Sequence, residues 1–394
     1  MSLLAVAEAQ ARVIALAPAL ATEMVPLASA AGRWAAETVP ALRTQPTAPL
    51  SAMDGYAIRF ADLPGPWTLA DGEAIPGTRA AIPLAPGLAQ RIFTGAPLPP
   101  GADTILVQEE AQRSGALLYL RGEGPPRCGA HVRPQGSDFR AGEQLIEAGK
   151  RLTPARIALA AVGGHGTLKV RRRPRVALLS TGDELVPPGM PAQGVQLPSS
   201  NSPMLAALLS ALPVDVDDLG IVRDDLDAIT GAFRHATADI IVTTGGASVG
   251  DHDLVRPALE RAGASLDFWR AAMKPGKPIM AGRLGEAAVL GLPGNPVSAF
   301  VTATLFLLPL VRAALGASEP LPRPRSMPLA GAVPATAKRA EYLRAAITEG
   351  SAVPLEGQDS AALAMLARAD ALIVRPPHAA ALHAGEMVEI LDLA

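Results

Sequence analysis

The sequence predicts a multidomain α/β protein built around a doubly wound, mostly parallel sheet. Strand-like and helix-like segments alternate from residue 176 to about 315, the order that builds a parallel sheet with helices on both faces. At 394 residues the chain exceeds one ordinary hydrophobic core, so roughly two to four domains are expected. With 38 prolines and 37 glycines, turns are frequent, and the flanking parts read as short-stranded subdomains rather than helical bundles.

Composition narrows the function. A formal net charge of −2 argues against a general nucleic-acid or membrane-surface binder. The start, MSLLAVAEAQARVIAL, carries Glu8 and Arg12 on an apolar helical pattern, which suits an amphipathic helix and not a signal peptide. The longest apolar run, 299–311, falls short of a bilayer span and contains Pro309, so a buried helix is expected there, and a soluble, cytoplasmic protein. Cys128 is the single cysteine, so no intramolecular disulfide and no cysteine-cage metal site can form. If a thiophilic metal is handled, its sulfur must come from the substrate.

Taken in order, 3–16 suits a helix, and a second helical stretch, 29–39, follows the break near Pro26. SAMDGYAIR (51–59) places Asp54 and Gly55 in a tight turn ahead of a strand near Tyr56. Between about 60 and 140, short apolar pieces separated by Pro and Gly suggest a small β-rich domain. Within it Thr94 and Gly95 either face a ligand or close a turn whose hydroxyl bonds its own backbone. A helix over 153–162 restarts after Thr153 and Pro154, a cap and a first-turn proline. Arg171, Arg172, Arg173 and Arg175 around Pro174 mark a boundary and read as a solvated linker in this mildly acidic chain.

The regular part follows. A strand over 176–180 ends in Thr181-Gly182-Asp183-Glu184, and a helix over 202–212 takes Asn201 or Ser202 as its cap. A strand over 214–222 ends in Arg223-Asp224-Asp225, and a helix runs to about 236. Next comes DIIVTTGGASVGDHD (239–253): a buried β-branched strand, 240–244, runs into Gly245 and Gly246, then Ser248, Gly250, Asp251 and Asp253. Glycines there can turn backbone N–H groups toward an anion, and the two acids can hold a divalent cation. The spacing fits the first half of a P-loop, but Asp251 and His252 stand where that motif needs Lys and Ser or Thr. The same residues also suit a plain loop with Asp253 capping the next helix. In doubly wound sheets ligands bind outside the carboxyl ends of the strands, which brings Glu184, Asp224, Asp251 and Asp253 to one edge.

After a helix near 254–262 and a strand near 266–269, MKPGKPIMAG (273–282) reads as a short loop presenting Lys274 and Lys277, two of only five lysines. Lysine is a compact point charge suited to phosphate or another oxyanion. A strand over 287–292 enters GLPGNPVSAF (291–300). Asn295 caps and Pro296 starts a long helix to about 315, so the Pro293-Gly294-Asn295 turn presents N–H groups and a positive dipole end. Helix initiation alone would use the same residues. Beyond the proline-rich EPLPRPR (319–325), strands over 342–347, 371–375 and 387–391 with a helix near 360–367 suggest a compact β-barrel. Its notable polar positions are Arg339, Glu341, Arg344 and Ser360.

SAMDGYAIR, FTGAPLPPGAD, STGDEL, SNSPML, GIVRDD, TTGGASVGDHD, MKPGKP and LPGNPVSA, all in order, resemble the MoeA family of molybdopterin molybdenumtransferases, related to the gephyrin E domain. The match spans nearly the whole chain. The resemblance implies an elongated homodimer of four-part subunits. It implies insertion of molybdenum from molybdate into adenylated molybdopterin, with Mg2+-dependent cleavage of the adenylate and release of AMP. Catalytic roles fall on Asp54, Thr94, Glu184, Asp224, Asp253, Lys274 and Lys277, with Glu184, Asp224 and Asp253 as metal ligands. Substrate contacts fall on Gly245, Gly246, Ser248, Gly250, Asp251, Pro293, Gly294, Asn295, Pro296, Ser298, Arg344 and Ser360. Asp54 and Thr94 would reach the pocket from the partner subunit. In GQDSAALAMLARADALIV (357–374) the leading part departs from the family pattern, so Arg344 and Ser360 match less closely, and Ala247 and His252 are minor variations.

The implied division is an elongated helical and stranded N-terminal domain (1–45 with 138–172), an inserted β-rich domain (46–137), a molybdopterin-binding α/β domain (173–316) and a C-terminal β-barrel (317–394). The resemblance leaves room for contact with the molybdopterin adenylyltransferase and gives no nucleic-acid or membrane partner. Two other functions share the sheet: a molybdopterin adenylyltransferase, which the extra terminal parts oppose, and a non-catalytic scaffold, which the intact acids and lysines oppose.

Overall fold

The computed structural model describes residues 3–78, 83–245, 254–276 and 278–393, and only the backbone over 267–269. Its centre is a seven-stranded sheet in the order Leu3–Leu4, Ser265–Ala271, Pro278–Leu284, Ala287–Leu292, Ile240–Thr244, Arg175–Thr181, Asp215–Val222. The last four of these run parallel, and Ser265–Ala271, Pro278–Leu284 and Ala287–Leu292 form an antiparallel meander. Successive side chains of a strand point to opposite faces, and in the inner strands Arg175–Thr181, Ile240–Thr244 and Ala287–Leu292 both faces are buried, which is why these read as nearly unbroken apolar runs, whereas the edge strand Asp215–Val222 carries three exposed acids. Val176, Leu178, Ile240, Val242 and Leu290 pack on one face with Leu205 and Leu209 of the Asn201–Leu209 helix and Val297, Val301 and Phe306 of the long helix. Leu179, Ile241 and Val289 pack on the other with Ile229 and Phe233 of Leu226–His235 and Leu259 of Val255–Ala262. The helices therefore wind the sheet on both sides.

The long helix, Pro296–Ala314, is the one described helix apolar enough to cross a bilayer, and it is 78% buried in the fold. It is α-helical at both ends with a π turn over Ala303–Leu307. Pro309 has no N–H to give the carbonyl four residues back, at Leu305. Gln10, on the N-terminal Val6–Ile14 helix, donates its Nε2 to that carbonyl at 3.1 Å.

Three smaller assemblies surround this core. A six-stranded sheet, ordered Thr104–Val107, Gly55–Ile58, Leu88–Ile92, Trp67–Ala74, Leu117–Leu120, Ala111–Ser114, carries a separate apolar cluster on each face. Thr22–Pro26 pairs with Thr167–Arg171 and Val39–Pro40 with Gln144–Ile146, so segments far apart in sequence share the core of Ala35, Val39, Ile146, Leu152 and Val170. At the C-terminus Arg325–Pro328, Met387–Asp392, Ala371–Arg375, Ala340–Thr348 and Ser351–Pro354 pair in sequence around a core, and a Leu329–Ala352 bridge joins the two ends into a small barrel.

Several expected elements differ. The expected 3–16 helix begins as the Leu3–Leu4 strand, which pairs with Arg270 and Ala271, and is helical only over Val6–Ile14. The expected 29–39 helix is reduced to Leu27–Ala30, because Gly32 turns at φ +79° and Trp34 and Ala35 are drawn into bridges with Arg151 and Val170. Ser200, not Asn201 or Ser202, precedes the 201–209 helix. The expected 273–282 loop holds two strands: Met273–Lys274 pairs with Ala340 and Glu341, and Pro278 opens the Pro278–Leu284 strand, where a first residue can do without an N–H.

Candidate active site

Four parallel strands end on one side of the sheet, and a cleft of about 760 Å³ opens there. On one wall Arg175–Thr181 passes into Gly182, Asp183 and Glu184. Gly182 sits at φ +144°, and a Cβ there would meet the Glu184 carboxylate at 2.5 Å. Asp215–Val222 ends beside it at Asp224, whose N–H donates to Asp183 Oδ1 at 3.1 Å. The Asp224 carboxyl lies above the usual carboxylate range. Partial burial is the main cause; a hydrogen bond with the Asp183 backbone opposes it, and the charges of Asp183 and Glu184 add to it.

In the middle of the cleft, Ile240–Thr244 hands the chain to Gly245 at φ +89°. A Cβ on Gly245 would lie 2.6 Å from the Thr181 carbonyl, so only glycine lets the two strand ends come this close. Ser180 and Thr244 hydroxyls pair at 3.2 Å just beneath. The opposite wall is the turn after Ala287–Leu292. Asn201 donates Nδ2 to the Gly294 carbonyl at 2.7 Å, and Asn295 donates Nδ2 to Ser360 Oγ at 3.0 Å. The Val297 N–H donates to the Ser360 carbonyl at 3.1 Å. Asn295 thus spends its amide on the C-terminal barrel and not on capping the long helix, whose N-terminal dipole end faces the cleft beside Ser298.

Glu184, Gly245, Pro293, Gly294, Asn295, Pro296 and Ser298 therefore line one cleft, Ser360 ties its rim, and Asp224 joins the acids at its wall. Lys274 is exposed on its short strand, two residues before Gly276 in the lining. Arg344 is buried inside the barrel, donating Nη1 to the Asp359 carbonyl at 2.9 Å and Nη2 to the Gly357 carbonyl at 2.7 Å, so it braces the loop that carries Ser360. Burial lowers its pKa, which the Asp359 charge partly offsets. Asp54 and Thr94 lie in turns flanking the Gly55–Ile58 and Leu88–Ile92 strands of the six-stranded sheet, outside the cleft lining. The Thr94 N–H and hydroxyl each donate to Asp54 Oδ1 at 2.7 Å. Those two bonds, with help from Arg91, hold the Asp54 carboxyl below its ordinary value. Gly246, Ser248, Gly250, Asp251, Asp253 and Lys277 lie outside the described residues.

Sequence reading missed Asn201 and Asp183 as site residues. Asn201 looked like a helix cap, and Asp183 like one more strand-end acid; only the folded sheet reveals what each bonds. Among the described residues no three His, Cys, Asp or Glu side chains converge on one point suited to a cation. Asp183 and Glu184 are nonetheless close enough for their charges to act on Asp224, and no Lys or Arg forms an ion pair with these three among the described residues. Hard carboxylate oxygens with unneutralised charge are the donor type that Mg2+ takes, and the described residues supply part of such a set.

Family models cover most of the chain: the MoeA N-terminal region (domain I and II) matches 4–164, a probable molybdopterin binding domain matches 177–313, and the MoeA C-terminal region (domain IV) matches 326–393. Molybdopterin molybdenumtransferase 2 of Mycobacterium tuberculosis is 36% identical over 385 residues, covering 94% of each chain. The molybdopterin molybdenumtransferase of Haemophilus influenzae is 37% identical over 295 residues, covering 74% of this chain and 72% of its own. The crystal structure of the molybdopterin biosynthesis moeA protein from Pyrococcus horikoshii superposes with a TM-score of 0.85 at 26% identity, covering 99% of this chain and 100% of that one. The chain belongs to the MoeA family of molybdenum cofactor biosynthesis, whose relatives named above are molybdopterin molybdenumtransferases.

Proposed function

We propose that the chain inserts molybdenum from molybdate into adenylated molybdopterin, with Mg2+-dependent cleavage of the adenylate and release of AMP. The observation that carries this reading is the polarity of the cleft: unpaired carboxylates on one wall face a helix N-terminus and a glycine turn on the other. Glu184 and Asp224, with Asp253, hold the cation, which when bound supplies a positive charge that neutralises the phosphoanhydride oxygens. The Gly294 to Ser298 turn and Gly245 receive the phosphates through backbone N–H groups. Lys274 and Lys277 draw in molybdate as point charges among these anions. The dithiolene sulfurs come from the pterin, since the protein's own thiol, Cys128, is exposed and single. Asp54 and Thr94 complete the site across a homodimer.

The test is to incubate purified chain with adenylated molybdopterin, molybdate and Mg2+, measuring AMP and activation of an apo-molybdoenzyme. Both are expected to depend on Mg2+ and molybdate. Full AMP release by Asp224→Asn would remove the cation-holding role; consumption of ATP instead would favour an adenylyltransferase.

A further inference from the structure

A second cavity, of about 540 Å³, lies where the N-terminal segments, the central α/β unit and the proline-rich linker meet. Five cationic side chains line it, Lys150, Arg151, Arg156, Arg312 and Arg323, against the single carboxylate of Glu319. That carboxylate is already shared between Arg323 and Lys150, the latter at 3.6 Å. The three remaining arginines have no carboxylate partner among the described residues. Arg151 lies 5.6 Å from the Trp34 ring centre and donates Nε to the Gly32 carbonyl at 3.3 Å. Arg156 donates Nη1 to the Arg151 carbonyl at 2.7 Å, and Arg312 donates Nη1 to the Pro320 carbonyl at 3.3 Å. A guanidinium carries five N–H donors, so most of this donor capacity is unspent. Like charges gathered beside low-dielectric walls repel one another, and burial together with Arg151 lowers the pKa of Arg312.

We propose that this cavity is a binding site for a small phosphate-bearing anion, held by Arg151, Arg156 and Arg312. Planar guanidinium forks match the oxygen spacing of phosphate, and one such ion would neutralise the cluster. The site is separate from the catalytic cleft. Arg312 lies sixteen residues along the long helix from Pro296, roughly 24 Å at the α-helical rise. Because its arginines come from two separate parts of the fold, with the linker as a third wall, occupancy would tie all three together.

Calorimetric titration with inorganic phosphate and, separately, AMP at constant ionic strength tests this on the full chain. The parent is expected to bind with an equivalent that Arg312→Met and Arg151→Met each weaken by about tenfold or more. In the equivalent that these two variants weaken, tighter AMP than phosphate would mark a nucleotide as the ligand, and equal affinities free phosphate; AMP bound as product in the cleft is the equivalent they leave unchanged. In phosphate-free buffer Arg312→Met should melt no lower than the parent, because it removes an unpaired, half-buried charge. A purely structural Arg312 would instead lower the melting temperature and leave the titration unchanged. The proposal is overturned if the parent binds neither ion, or if its only equivalent survives in both variants.

Discussion

Asp54 and Asp224 are the same residue type displaced in opposite directions, and the difference decides what each does as pH changes. Asp224 is raised by partial burial and by Asp183 and Glu184, so the fold binds its proton more tightly than the unfolded chain does. Its contribution favours folding below the unfolded-chain value and is lost as pH rises through the folded one. Above the folded value the ionised group is then a net cost. Asp224→Asn should melt no lower than the parent in urea or heat while AMP release falls by roughly 10- to 100-fold. Asp54 is lowered by its two bonds from Thr94, so its contribution is present above the unfolded-chain value and lost as pH falls through the folded one. Thr94→Val removes the hydroxyl bond and should return the Asp54 carboxyl toward its ordinary range in a carbon-13 NMR titration; an unmoved midpoint would mean that the hydroxyl bond does not set it. Asp224 is legible from its place at a strand end, whereas an Asp-Gly turn nominates nothing by itself and Asp54 stands out only through the family resemblance. The sign of each shift stays illegible, because it depends on neighbours some 40 residues away in the chain.

Among elements, the strands at Ile240–Thr244 and Ala287–Leu292 are legible at their observed limits, because a strand buried on both faces must be apolar throughout and is punctuated by glycine and proline at its end. The N-terminal helices are poorly legible, because bridges to residues more than a hundred positions away override local periodicity at Trp34 and Ala35. The long helix shows the same dependence from within. Its proline is tolerated beside a π turn, and the carbonyl that Pro309 leaves unserved is met by Gln10. Gln10→Leu keeps the size and removes that bond, which should cost about 0.5–1.5 kcal/mol in chemical denaturation. Gly245→Ala meets both a positive φ and the Thr181 carbonyl, so a loss of about 1–3 kcal/mol is expected together with weakened substrate binding. An alanine variant as stable as the parent would show that the two strand ends can part without cost.

For the whole molecule, the cleft draws its walls from the central sheet and the C-terminal barrel, with the Asn295–Ser360 pair joining them. The proposed homodimer adds Asp54 from a second subunit. In a defined heterodimer of one Asp54→Ala and one Asp224→Asn subunit, one of the two sites should be intact, giving about half the parent's turnover; a heterodimer as inactive as either variant alone would place Asp54 in the same subunit's site as Asp224. The Leu3–Leu4 strand covers the edge of the central sheet by pairing with Arg270 and Ala271, 267 residues later in the chain. Translation proceeds at roughly 5–20 residues per second, so this segment leaves the ribosome on the order of tens of seconds before its partner exists. Until then Val13 and Ala9, fully buried in the finished core, face solvent. A segment made early is thus placed late, and the interval is one in which a nascent-chain chaperone has a surface to hold.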